Sequence, residues 1–132
     1  MITGVGVISG LGNNAAEFWN ALSAGRSGIG PITRADVSGI RFKNAAEVRG
    51  FDETQHFDDK ALLWLDPFSH YGIVSAREAV ADSGIEFTDE LRERSGVITG
   101  SCLGGKRPRT NYFTNFTQRV SSMLNLSLSR VR

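Results

Sequence analysis

Gly100-Ser101-Cys102-Leu103-Gly104 sets a thiol between two glycines, in the G-x-nucleophile-x-G arrangement. Ser95–Thr99 before it reads as a short buried strand, the position from which a nucleophile elbow projects. The chemistry would be hydrolysis through a cysteine nucleophile. A hydrolytic triad of that type places its acid and histidine after the nucleophile in chain order. Here both histidines, His56 and His70, come earlier, and no Asp or Glu follows Cys102. Pro108 also interrupts the helix that should follow the elbow. The order therefore favours Cys102 as a small residue in a turn over a hydrolase nucleophile.

Gly4-Val5-Gly6 lies between a strand-like run and a helix, as in dinucleotide-binding turns. The third glycine of that fingerprint is replaced by Ser9, and no acid stands near Ala24–Ser27 to hold a ribose. Close packing of strand on helix is the better reading of these glycines. His70, beside Phe68 and Tyr71, reads as a packed or hydrogen-bonded histidine. His56 sits among Asp52, Glu53, Asp58 and Asp59. Their spacing follows no metal-ligand pattern, so a solvated charged loop is expected.

The elements that would position these residues alternate. Met1–Val7 reads as a glycine-punctuated strand; since nothing precedes it to anchor an edge, a start a few residues upstream is expected. Asn13 to Gly25 reads as a helix, with Asn14 as cap and Glu17 three residues on as in a capping box. Ala15, Phe18, Trp19 and Leu22 would form its buried face. Ser27–Pro31 is loop. Ile40–Val48 allows a short strand, Gly50 to Asp59 an acidic loop, and Lys60–Leu65 a short helix. Asp66-Pro67 opens a long helix that Gly84 closes. Within it Gly72, Ser75, Ala76 and Ala79 form a stripe of small side chains that permits close approach. The series strand, helix, strand, helix, strand argues for an α/β layer with parallel pairing.

Composition sets the outer bounds. At 132 residues, with 40% hydrophobic and 22% charged residues, the chain is at most one small globular domain. No apolar run approaches the ~18–20 residues that span a bilayer, and no secretory signal is visible. One cysteine excludes an internal disulfide framework and fits a reducing compartment, the cytoplasm. Charge is unevenly placed. Residues 1–105 hold 14 acids and 9 Lys or Arg, whereas residues 106–132 hold six bases (Lys106, Arg107, Arg109, Arg119, Arg130, Arg132) and no acid. The last of 15 glycines is Gly105. Two segments follow: 1–105, and an unrelated, irregular basic tail over 106–132.

Residues 1–105 resemble the opening of a β-ketoacyl-acyl-carrier-protein synthase, a condensing enzyme of thiolase-like fold. The likeness rests on ordered words: Ile2-Thr3-Gly4-Val5-Gly6-Val7-Ile8-Ser9 with Leu11-Gly12; Phe18-Trp19 and Leu22 followed by Gly25-Arg26-Ser27-Gly28-Ile29; Ala45-Ala46-Glu47-Val48; Asp66-Pro67-Phe68 with Ala79-Val80-Ala81-Asp82-Ser83-Gly84; and Val97-Ile98-Thr99-Gly100 with Gly104-Gly105. The resemblance implies a partial, incomplete thiolase-like fold. It also implies a decarboxylating Claisen condensation between a cysteine-bound acyl group and malonyl-carrier protein, with two histidines among the oxyanion donors. Acyl carrier protein and a homodimer are the partners implied for the full-length enzyme. The family's nucleophile and histidines lie beyond the matched words, so no residue here is assigned a catalytic, cofactor-binding or metal-ligating role. Cys102 falls where the family carries a non-catalytic residue, and His56 and His70 match no catalytic position.

The expected protein is thus an N-terminal fragment, inactive alone, of an enzyme of fatty-acid or polyketide synthesis. The tail fits a shifted reading frame, with a genuine alternative C-terminus as the other reading. Two further classes stay open: a non-catalytic module that associates with an intact synthase, and an electrostatic nucleic-acid binder, which the few aromatics (Tyr112, Phe113, Phe116) and lack of a known binding module disfavour. If the tail did bind nucleic acid, retention on DNA would collapse between low and moderate salt, and deleting 106–132 would abolish it.

Overall fold

The structure is a computed structural model and describes residues 1–100. The glycine turn beyond Gly100, Cys102 and the basic segment lie outside the described residues. Helix α1 spans Ala15–Ser23. The Asn14 side chain accepts from the Glu17 N–H at 2.8 Å, and Glu17 Oε2 accepts from the Asn13 N–H at 2.8 Å. This is the expected reciprocal cap, with the glutamate reaching one residue further back. Gly25, at φ 65°, turns the chain out of the helix. Strands β1 (Gly30–Pro31) and β2 (Asn44–Ala45) pair antiparallel, with Gly30 opposite Ala45. A 3-10 turn at Glu53–Gln55 leads into α2 (Asp59–Trp64), α3 (Pro67–Ser83) and α4 (Asp89–Glu93). Helix α3 has Asp66 as its N-cap residue and Pro67 in its first turn, and it ends at Gly84 in the left-handed conformation.

The core lies under α3. Phe57, Ala61, Leu65 and Ile73 form a buried cluster, against which Leu62, Val74, Ala76 and Val97 pack. It joins the 3-10 turn, α2 and α3, and Val97 brings in the segment after α4.

Residues 1–8 correct the expectation of an opening strand. They pair with no strand among the described residues, and neither do residues 95–99. A parallel layer is accordingly absent from residues 1–100, where the paired strands are β1 and β2 alone. The backbone donors of the opening segment go elsewhere. The Val5 N–H donates to Asp82 Oδ2 at 2.9 Å and the Val7 N–H to Glu78 Oε2 at 2.8 Å. The segment runs antiparallel to α3, and the two periods agree. Two extended residues advance roughly 6.6 Å and four helical residues roughly 6.0 Å, so alternate N–H groups meet carboxylates spaced i, i+4.

That docking needs bare backbone. A Cβ on Gly4 would meet the Ala79 carbonyl oxygen and lie 2.6 Å from the Ser83 nitrogen. On Gly6 it would meet the Ser75 carbonyl oxygen and lie 2.8 Å from the Ala79 nitrogen. Gly4-Val5-Gly6 therefore serves close packing against the small-residue face of α3.

Helix α1 gives a second correction. Trp19 and Leu22, expected to be buried, are 64% and 47% exposed, and Ala21 is the buried residue of the helix. Ala15 and Phe18 of the stripe are half-buried, but no described element covers Trp19 and Leu22. The expected strand over Ile40–Val48 shrinks to Asn44–Ala45, since Ile40 and Phe42 stand in solvent and the Ile40 N–H donates to the Val37 carbonyl at 3.3 Å in a turn rather than to a ladder. Helix α4, capped by the Thr88 hydroxyl, has no counterpart in the expected element order.

Gly6→Ala should destabilise the chain by about 1–3 kcal/mol through overpacking. Gly39→Ala, where an added Cβ meets nothing within 4 Å, should stay within about 0.5 kcal/mol of the parent. Urea unfolding followed by circular dichroism reads both.

Candidate functional site

A half-open crevice of about 340 Å³ lies where the start of α1, the 3-10 turn and the middle of α3 meet. Asn13, Asn14, Phe51, Asp52, His56 and Glu78 contribute to its wall. His56 stacks on Phe51 with ring centroids 5.2 Å apart and planes 8° from parallel. Phe51 in turn meets Tyr71 edge-on at 5.2 Å.

The acids of this crevice are already engaged. Glu78 Oε2 accepts from Val7, and its Oε1 accepts from the Ala15 N–H at 2.8 Å. Ala15 opens α1, so one carboxylate ties the opening segment and α1 to α3 and also faces the positive end of the α1 dipole. Asp52 Oδ1 accepts from the Thr54 hydroxyl and N–H at 2.6 and 3.0 Å, and its Oδ2 accepts from Gln55 Nε2 at 3.0 Å. These bonds, the Thr54 hydroxyl first, hold the Asp52 carboxyl below its ordinary range. Asp58 caps α2 through the Ala61 N–H at 2.7 Å. Two of the acids around His56, Asp52 and Asp58, are thus spent on caps. Among the described residues no three His, Cys, Asp or Glu side chains gather closely enough to hold a metal ion. The crevice wall also contains no Ser, Thr, Cys or Lys, so it offers no hydroxyl, thiol or amine nucleophile.

His70 is 1% exposed, a member of the interior rather than of the crevice. Its ring lies 4.5 Å from that of Phe57, and Nδ1 is 3.3 Å from Glu53 Oε1. Neither ring nitrogen makes an aligned hydrogen bond among the described residues, so the Glu53 contact is one of proximity. The structure does not bring His56 and His70 together around a common reactive centre: one stacks at the surface and the other packs inside.

A third cluster fixes the loop between the strands. Glu47 accepts from the Thr33 hydroxyl at 2.7 Å and from the Thr33 and Arg34 N–H groups. The Thr33 hydroxyl leads in keeping the Glu47 carboxyl below its usual range. Arg34 donates to the Tyr71 hydroxyl at 2.7 Å and to the Val48 carbonyl at 2.9 Å, which anchors the loop to α3. Reading residues by type misses Glu78 and Asp82, because acids at helical spacing look like a solvated face. Their signal is their place on the same side of α3 as Ser75, Ala79 and Ser83, opposite Gly4 and Gly6.

Glu78→Gln keeps the shape but turns one acceptor into a donor that faces a backbone N–H. It should cost about 1–3 kcal/mol, against little change for the exposed Glu86→Gln, as read by urea denaturation. For Glu47 and Asp52 the folded value is depressed, so their contribution is complete above the unfolded value near ~4 and fades as pH falls through the depressed one. The protection of the Thr33, Arg34 and Thr54 amides, taken relative to the intrinsic exchange rate at each pH, should hold from neutrality to about pH 5 and fall below about pH 4.

The family described as "Beta-ketoacyl synthase, N-terminal domain" matches residues 1–130. The 3-oxoacyl-[acyl-carrier-protein] synthase 2 of Coxiella burnetii is 46% identical over 105 residues, covering 80% of this chain and 25% of that protein. The proteins of the same name from Synechocystis sp. and Vibrio cholerae are 35% and 39% identical over the same coverage. Among solved structures, "The ishigamide ketosynthase/chain length factor" is similar with a TM-score of 0.58 and 37% identity, over 68% of this chain and 22% of that one. The chain spans about a quarter of the length of the curated relatives it matches. By sequence and by fold, it belongs to the β-ketoacyl synthase family and corresponds to part of that family's N-terminal domain.

Proposed function

We propose that this chain is the opening structural portion of a β-ketoacyl-acyl-carrier-protein synthase. The whole enzyme would join an acyl group held on a cysteine to the carbanion left when malonyl-carrier protein loses carbon dioxide. The observation that carries this reading is the 46% identity over 105 residues to a 3-oxoacyl-[acyl-carrier-protein] synthase 2. The role of these residues is architectural: they build α3 and dock the opening segment on it, giving later parts of the fold a surface to pack on. Acyl carrier protein and a second synthase subunit are the partners of the whole enzyme.

The chain by itself does not condense. The thiol and the two histidines that the reaction needs fall outside the words shared with the family, and the crevice beside α1 and α3 has no thiol in its wall. We also place the end of the enzyme-like sequence at Gly105. The matches to the relatives are 105 residues long, and the charge balance changes at Lys106. The family match itself runs further, to residue 130.

Exposed Trp19, Leu22, Leu63 and Trp64 favour a second reading, a module that associates with an intact synthase through its uncovered faces. Coexpression with an intact relative and pull-down tests it, and a clean failure to associate removes it.

Two measurements test the main proposal. The purified chain given acyl- and malonyl-carrier protein should release no β-ketoacyl product; turnover would overturn the inactive reading. Replacing the matching segment of the Coxiella burnetii relative with residues 1–100 should preserve condensation. A folded but inactive chimera would overturn the assignment of this segment as a working part of the enzyme.

A further inference from the structure

The loop joining β1 to β2 is the most exposed run of the described chain. Ser38 to Asn44 are seven consecutive exposed residues. A Cβ on Gly39 would meet nothing within 4 Å, so the tip stands clear of the body. Beneath it the stem is firm. Ile32 donates to the Lys43 carbonyl at 2.9 Å, Glu47 holds Thr33, and Arg34 is tied to Tyr71 and Val48. The projecting residues are Ile40-Arg41-Phe42-Lys43, with Ile40 52% and Phe42 76% exposed. The Arg41 guanidinium lies 5.6 Å from the centre of the Phe42 ring. Neither Arg41 nor Lys43 has a carboxylate within 4 Å among the described residues. The acids closest in sequence, Asp36 and Glu47, are occupied by Ser38 and by Thr33 with Arg34.

We propose that this loop is an interfacial anchor that inserts Phe42 and Ile40 at the surface of an anionic lipid bilayer, with Arg41 and Lys43 on the head groups. An exposed ring and aliphatic chain between unpaired cations have the two components of such binding: apolar insertion and attraction to anionic head groups. Shape and size decide against a protein partner. A stable protein interface takes about 20–30 residues a side, and the loop offers a convex tip of seven. A bilayer requires no groove, and its hold scales with the apolar area inserted and the cations set on the head groups. The inference is independent of the condensing-enzyme assignment, because it uses only the loop.

The test is flotation of the full chain with vesicles of phosphatidylglycerol mixed with phosphatidylcholine, against phosphatidylcholine alone. Binding should require phosphatidylglycerol. Phe42→Ala should weaken it by about tenfold or more, and Arg41→Gln and Lys43→Gln by about fivefold each. Both side chains at 40 and 42 are largely in solvent, so circular dichroism of Phe42→Ala should match the parent. Phe42→Ala leaves every charge in place, including those of residues 106–132, so attraction by charge elsewhere on the chain does not respond to it. Partitioning of Phe42→Ala equal to the parent, equal binding to phosphatidylcholine alone, or Phe42-dependent binding of a poly-dT oligonucleotide in place of vesicles would overturn the proposal.

Discussion

The seating of residues 4–7 on α3 is the constraint that organises this molecule. Two carboxylates one helical turn apart take the N–H groups of alternate extended residues, while Gly4 and Gly6 allow backbone to reach backbone. The bonds are charge-assisted and therefore stronger than ordinary amide pairs. They are also demanding, because a methyl group at either glycine collides with helix backbone that cannot move without breaking its own ladder. Glu78 extends the constraint to α1, so a single side chain sets the relation of the opening segment and two helices.

The second layer of order comes from local caps. Asn14, Asp52, Asp58 and Thr88 each satisfy an N–H at the start of a turn or helix, and Gly25 and Gly84 end two helices. These devices are short-range, which is why α1, α2 and α3 could be read from the sequence almost to the residue. Asp66-Pro67 and Gly84 bracket α3 with signals that lie within a few positions of its ends. The same locality makes two acids of the run around His56, Asp52 and Asp58, capping groups.

What could not be read from the sequence depends on distant partners. Met1–Val7 has strand composition, yet a strand exists only with a neighbour, and among the described residues its donors find helix carboxylates instead. Helix α1 shows an apolar stripe, but periodicity does not say what covers it, and here Trp19 and Leu22 remain uncovered. Glu78 and Asp82 are invisible by residue type because their role depends on glycines more than 70 positions away. The family words were legible because they are ordered along the chain. The crevice was not, since its wall joins residues from 13 to 78.

The bond from Val5 to Asp82 spans 77 positions. A chain made from its N-terminus at roughly 5–20 residues per second holds its first segment without a seat for several seconds, until the whole of α3 has emerged from the ribosome. Ile2 and Val5 are then unseated apolar residues in a glycine-rich stretch. The interval between translating the two ends of this contact is a window in which a nascent-chain chaperone would find its site, and slower translation before Asp82 would lengthen it.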